Sequence, residues 1–356
     1  MKKLELNDKE KLLMYGLVTY PHSTDKQLSE QLNLKHSTVT SIRHRLRKNE
    51  YFRSIIIPNL QSMGCKMLVT IYTDFSPLIP LNERVEITGR TIEVFDEIFL
   101  SVGDQDKGFS LSLSKDYASI GKINDIRTET FGGRGLLEDK YPNMVVFPFE
   151  ISKIYRFFNF SHLLKESFDL DFETEETFGS VEISNREDSN FSETEKSVYF
   201  MIVKYPELSD SSIGREIGIS RHTVSRLKRR FRNENLIRRV TLPNLNKLNF
   251  EILTFFHIRF DPSNPPDIER DESASLMSNS TILFASRMFE SVMVSIHKNY
   301  DSYKRDRTNI LQILKENKWI VENPIINSYS LNSLIFIKDF KFAPITGKIL
   351  GYDFLI

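Results

Sequence analysis

The sequence predicts an α+β fold built as two repeats, each a winged helix-turn-helix followed by a ferredoxin-like (βαββαβ) sandwich domain. Three observations predict it. Residues 6–60 align without a gap to 191–245 at an offset of 185, with 14 identical residues. Each of these stretches reads as short helices around a tight turn, then a strand. The same order of apolar strands and polar helices follows each one, so the repeat runs through the whole chain.

The second copy is the clearer. Residues 210–217 place Ile213 and Ile217 four apart on one face, a short amphipathic helix. Gly218 tolerates the left-handed backbone that ends a helix, and Ser220 suits the N-cap of the next segment, 221–234. Val224, Leu227 and Phe231 fall there at i, i+3 and i+7 and make a core stripe. The rest of that helix is polar and largely cationic, with Arg221, Arg226, Lys228, Arg229, Arg230 and Arg232. A helix apolar on one side and basic on the other fits the major groove of DNA. The strand at 236–242 carries Arg238 and Arg239 and reads as a wing beside the phosphates. A basic helix is also what a solvated surface looks like. Short helix, glycine turn, capped basic helix and basic strand in succession point instead to double-stranded DNA.

The first copy keeps the pattern, with helices near 7–20, 25–33 and 36–49 and a wing near 51–57. Tyr20-Pro21, Asp25, Thr38-Val39, Arg45, Arg47 and Arg53 recur as Tyr205-Pro206, Asp210, Thr223-Val224, Arg230, Arg232 and Arg238. Groove-facing positions are His36, Ser37, Thr40, Ser41 and His44 in the first head. In the second they are Arg221, His222, Ser225, Arg226 and Arg229, with Thr223 among them. Phosphate contacts fall to Arg43, Arg45, Arg47, Lys48 and Arg53, and to Lys228, Arg230, Arg232, Arg238 and Arg239. Charge agrees with this division. Residues 1–60 and 191–245 each hold 11 Lys and Arg against 6 Asp and Glu, while the whole chain has 48 of each kind. Two basic modules therefore sit in an otherwise acidic chain.

Apolar strands follow at 65–75 and 250–260, rich in β-branched and aromatic residues. Polar helices are expected near 82–95 and 266–278. Strands at 98–102 and 108–114 match 282–286 and 291–297, helices begin near Tyr117 and Tyr300, and last strands lie near 144–151 and 325–331. The order is βαββαβ in each copy, that of a ferredoxin-like sandwich. The expected domains are 1–63 and 191–248 (helix-turn-helix) and 64–172 and 249–356 (sandwich). Residues 173–190 form an acidic linker, or alternatively a flap that screens a basic surface.

Cys65 is the only cysteine, which excludes a disulfide framework or thiolate zinc site within the chain; it reads as a small core residue. No metal site, cofactor, signal peptide or membrane span is expected, so the chain reads as soluble and cytoplasmic.

A helix-turn-helix leading into a βαββαβ domain resembles the Lrp/AsnC (feast/famine) transcriptional regulators. The stretch from Gly64 to Phe75 is similar to that family's first effector-domain strand. Residues 102–117 are similar to its strand-turn-strand, with Gly103 and Asp106 on the turn positions and Gln105 where an aromatic is usual. Residues 286–291 lack the glycine, and Ile42 and Leu227 stand where the family has an arginine. The resemblance implies dimerisation through the sandwich domains, here an internal pseudo-dimer open to further homodimer pairing. It also implies a small-molecule effector near Gly103, Asp104 and Asp106, residues that equally suit a polar turn. The reading is a sequence-specific regulator with two unequal heads, and not an enzyme. Siroheme decarboxylases share the architecture and supply the rival; they would need histidines and arginines converging in the sandwiches, where His162, His257, His297 and Arg287 are available. A third reading is a scaffold whose winged helices bind protein.

Overall fold

The computed structural model describes residues 6–138, 141–171 and 191–352; the acidic segment 173–190 lies outside them. Helices open each repeat. α1 (Asp8–Thr19) starts on a capping box in which Asn7 and Glu10 accept each other's backbone N–H. α7 (Glu193–Lys204) repeats it with Ser192 and Glu195. Such reciprocal caps satisfy donors that a helix start otherwise leaves unpaired. α2 (Asp25–Gln31) and α8 (Asp210–Glu216) pass through left-handed residues, Asn33 (φ 51°) and Gly218 (φ 70°). α3 (His36–Lys48) and α9 (Arg221–Asn233) follow, burying Val39, Ile42 and Leu46 in one and Val224, Leu227 and Phe231 in the other. Ser220 caps α9 through the Thr223 N–H, as the sequence predicts, while α3 has no side-chain cap.

The strands expected as wings are β1 (Phe52–Pro58) and β7 (Ile237–Pro243), and they pair with each other in a two-stranded sheet. Tyr51 C=O accepts from Asn244 N–H at one end, and Leu236 C=O from Asn59 N–H at the other.

The chain divides into two compact units, each drawn from three segments. One comprises Ile55–Ile151, Ile183–Arg238 and Ser333–Ile356. Its sheet holds β2 (Met67–Asp74), β3 (Ile98–Gly103), β4 (Lys107–Ser114) and β5 (Asn143–Pro148), antiparallel in the ferredoxin order β3-β4-β2-β5. β12 (Ile335–Lys338) adds a fifth strand beside β3. α4 (Leu81–Glu93) and α5 (Tyr117–Gly133) cover one face, where Val69, Ile71, Ile92, Ile120, Ile123 and Phe131 pack.

The other unit comprises Met1–Ser54, Ser152–Glu182 and Arg239–Asn332. Its sheet runs β11-β8-β10-β9, from β8 (Ile252–Arg259), β9 (Thr281–Arg287), β10 (Glu290–His297) and β11 (Ile325–Ser330). β6 (Ser152–Phe157) adds its fifth strand beside β9. The core holds Phe256, Ile258, Phe284, Met293 and, from α10 (Tyr300–Glu316), Ile310 and Leu314; Trp319 joins it. The helix expected near 266–278 is a single 3-10 turn, Glu272–Leu276. Pro262, Pro265 and Pro266 precede it and Asp271 is left-handed (φ 55°), so a regular helix has no room to start.

Each sheet therefore takes its fifth strand from the other repeat. Helices follow the same exchange: α6 (Ser161–Ser167) packs on α1, and α11 (Ala343–Leu350) on α7. Corresponding elements keep equal lengths at nearly constant spacing, α5 and α10 both having 17 residues and β4 and β10 both 8. Among the described residues no helix is long and apolar enough to cross a membrane. Cys65 is buried, donates to Ser114 C=O at 3.2 Å, and burial pushes its thiol up to about 12.

Candidate functional site

α3 and α9 each divide their cations into two sets. One set turns back into its own module. Arg43 pairs with Asp25 of α2, whose carboxylate also accepts from Thr40 Oγ1 at 2.8 Å, and Arg45 pairs with Glu10 of α1. In the second copy Lys228 pairs with Asp210 at 3.0 Å and Arg230 with Glu195. These are the same two pairs displaced by 185 residues. Burial pushes the Asp25 and Glu195 carboxyls up, but hydrogen bonds outweigh it, from Arg43 and Thr40 in one case and from Ser192 and Arg230 in the other, so both lie below the ordinary carboxylate range. Thr223 is engaged as well, its hydroxyl 3.0 Å from Ser220 Oγ at the start of α9.

The other set faces outward. Arg221, Arg226, Arg229 and Arg232 are exposed along α9 and make no side-chain hydrogen bond or ion pair among the described residues. His222 is exposed beside them and Ser225 is half-buried. On α3 the exposed residues are His36, Ser37, Ser41, His44, Arg47 and Lys48, together with Thr40 and Arg45, which are already engaged by Asp25 and Glu10; the Arg47 guanidinium lies 5.7 Å from the Phe52 ring. Arg53 is exposed on β1, whereas Arg238 and Arg239 are half-buried on β7, and burial pushes Arg238 down to about 10.

Gly103, Asp104 and Asp106 shape the β3–β4 turn. A Cβ on Gly103 would stand 2.8 Å from Lys107 O and 3.2 Å from Gly108 Cα, so the two strands close only over glycine. Asp104 C=O accepts from Arg84 Nη2, and Asp106 C=O from Phe75 N–H. Burial, then the neighbouring Asp106, raises the Asp104 carboxyl. Gly103 lines a small cavity between this sheet and its helices, of about 10 Å³, together with Thr88, Ser101, Gly108 and two arginines absent from the sequence reading, Arg84 and Arg127. Arg84 is 2% exposed and stacks 4.6 Å over Phe75. Arg127 is 3% exposed and donates to Ser110 Oγ at 2.7 Å. The signal was present: Arg84 precedes Thr88 and Ile92 at i+4 and i+8, and Arg127 follows Ile120 and Ile123, so each cation sits on its helix's buried stripe.

Two of the histidines named from sequence, His257 and His297, lie in separate clusters in the second sandwich. Buried His257 lies 3.6 Å from Glu290 Oε1, and Glu290 also pairs with Arg287. His297 Nε2 is 3.0 Å from Thr254 Oγ1, and its Nδ1 is 3.8 Å from Asp306, which accepts from Ser278 Oγ at 3.0 Å. Burial pushes His297 down to about 4; burial, with Glu166 adding to it, pushes Asp306 up to about 6. His162 lies on α6, away from these strands in the sequence. Among the described residues no three His, Cys, Asp or Glu side chains gather as metal ligands.

No protein-family model and no curated protein matches the sequence. Solved structures do. Siroheme decarboxylase NirDL matches at a TM-score of 0.50 and 9% identity, covering 97% of this chain and 99% of that one. The same protein solved with an iron-uroporphyrin III analogue matches at 0.50 and 8%, with equal coverage. A transcriptional regulator of the AsnC family from Pyrococcus furiosus covers 40% of this chain and 89% of its own, at 0.32 and 19% identity. At such identities the NirDL likeness shows the fold: two helix-turn-helix-plus-sandwich repeats in one chain. It also corrects the expectation that the chain is not an enzyme, because the structure matching it end to end is that of an enzyme.

Proposed function

We propose that the chain is a double-stranded DNA-binding regulator with two unequal reading heads, arisen by tandem duplication. The observation that supports this most is the division of cations on α9. Four guanidiniums stand exposed on one short helix, while Lys228 and Arg230 serve the module's own architecture. Such a row repels itself and is relieved by phosphates and guanine edges. Arg221, Arg226 and Arg229 suit guanine O6 and N7, each good pair discriminating by about 1–3 kcal/mol. Ser37, Ser41, His36 and His44 of the first head discriminate less, so the preferred site is asymmetric, with its G-rich half under the second head. Fluorescence anisotropy with a mixed-sequence duplex tests the reading. Replacing Arg221, Arg226, Arg229 and Arg232 by alanine is expected to abolish most binding with folding intact; undiminished binding would refute it.

A second reading, catalysis on an acidic substrate as in the siroheme decarboxylase whose fold the chain shares, is favoured by His297 and Asp306. Burial inverts their ordinary order, so that between about pH 4 and 6 the carboxyl holds a proton to give and the imidazole is free to take one, which suits acid–base work. Its test is incubation with siroheme, following the visible spectrum and released carbon dioxide, for the protein and for His257→Gln and His297→Gln. An unchanged spectrum with no gas released would exclude it.

A further inference from the structure

Among the described residues Arg127 has no counter-charge. Its guanidinium is buried, its contacts are the Ser110 hydroxyl and the Phe131 ring 5.7 Å away, and its Nε has no hydrogen-bond partner. Arg84 lines the same cavity; its Nε is also without a partner, its Nη2 is spent on Asp104 C=O, and the Asp104 and Asp106 carboxylates offset part of its charge, so Arg127 is the uncompensated one. A buried unpaired guanidinium is costly, and a fold keeps one only where something compensates it.

The second repeat shows that the fold does not need these groups. Its elements correspond to the first at an offset of 183 through β3, β4 and α5. Arg127, Ser110 and Ser101 thus correspond to Ile310, Met293 and Phe284, all three in the apolar core. One architecture places apolar core side chains at these positions in one copy and polar ones beside a void in the other. The void has room for about one water-sized group.

We propose that this cavity in the first sandwich domain is an anion site that takes one small monoanionic group, the carboxylate end of an organic acid or a single halide, between Arg84 and Arg127. Arg84 and Arg127 both line the cavity, each with a partnerless Nε–H, and Ser101 adds a hydroxyl to the wall, whereas Thr88 Oγ1 already donates to Arg84 C=O at 2.8 Å. A carboxylate accepts such charge-assisted bonds from two sides. The proposal is independent of both functional readings above.

The test is thermal unfolding of the full chain in sodium formate, acetate or chloride, with ionic strength held by sodium sulfate, for the protein and for Arg127→Met. In the unsubstituted protein the fitting anion is expected to give a saturable rise in Tm of about 2–4 °C. Arg127→Met, which restores the apolar character of Ile310, loses that rise and is no less stable in sulfate alone. A response to formate and acetate but not chloride identifies a carboxylate site, and the reverse a halide site; either supports the proposal. Equal responses of both proteins to every anion would overturn it. Should Arg127→Met fail to fold, Arg84→Met and the arginine Nε–H resonances of the unsubstituted protein decide: two buried signals that shift on adding formate or chloride support the site, and signals that stay put overturn it.

Discussion

Arg230 on recognition helix α9 is held by Glu195 on α7, and the same pair recurs 185 residues earlier as Arg45 with Glu10. Glu195 and Glu10 are also the third residues of capping boxes, so each carboxylate ties the start of one helix to the flank of another. A recognition helix built this way must be basic on two sides, only one of which is available to a partner.

Single alanine substitutions separate those sides. Arg226→Ala and Arg229→Ala are expected to weaken duplex binding by about 1–3 kcal/mol each where they read bases, or to reduce the salt slope by about 1 where they meet phosphate. Tm stays unchanged. Arg230→Ala is expected to cost about 1 kcal/mol of stability, a modest figure because the pair is partly solvated. Chemical denaturation and anisotropy on the same three variants check the division.

Acid should loosen the helix-turn-helix modules first. The Asp25 carboxyl is held below its ordinary 3.8, so its contribution is fully present above that value and is lost as pH falls through its folded value. Melting between pH 5 and about 3 is expected to be steeper for the unsubstituted protein than for Asp25→Asn, which starts less stable. Parallel curves would remove Asp25 from this role.

Asp306 works in the opposite sense. Its folded value of about 6 exceeds the ordinary 3.8, so its protonated form stabilises the fold at low pH and that contribution is lost as pH rises to about 6. His297, pushed down to about 4, favours the unfolded state as pH falls from 6.5 to 4. The two trends offset each other. Asp306→Asn is expected to gain about 1–3 kcal/mol at pH 7 and to unmask the histidine, its stability rising steadily from pH 4 to 6.5. A variant no more stable at pH 7 would contradict the burial of this carboxylate.

Gly103→Ala probes the β3–β4 turn. The added methyl meets backbone on both sides, Lys107 O and Gly108 Cα, and cannot be relieved by a rotamer change. A loss of about 1–3 kcal/mol is expected in urea denaturation, together with displacement of the Asp104 carbonyl that holds Arg84.

The helix-turn-helix modules were legible because their signals are local: the cap at Ser220, the left-handed Gly218, and the stripe Val224, Leu227, Phe231. The four strands that each sheet takes from its own repeat were legible from β-branched and aromatic content and from their recurrence in the two copies. Strand exchange was not, because β6 finds β9 and β12 finds β3 across more than a hundred residues of sequence, and nothing in Ser152–Phe157 or Ile335–Lys338 names its partner. The inward cations Arg43 and Lys228 look the same in sequence as the outward Arg226; the acids that claim them lie 18 residues away. Arg84 and Arg127 escaped notice because arginine is presumed exposed, although their places on buried stripes, and the isoleucine standing for Arg127 in the other repeat, mark them out.

The central claim is that two unequal heads read DNA. Selection of binding sites from randomised duplexes by the full chain, followed by titration of the selected duplex from 50 to 200 mM salt, tests it most directly. The account predicts an asymmetric site with a G-rich half that is lost on substituting Arg221, Arg226 and Arg229. It also predicts an affinity that falls by about 10³–10⁵ across that salt range if roughly six to ten phosphates are engaged. A perfectly palindromic site bound by a monomeric chain would contradict the inequality of the heads, and no binding at 50 mM salt would contradict the claim itself.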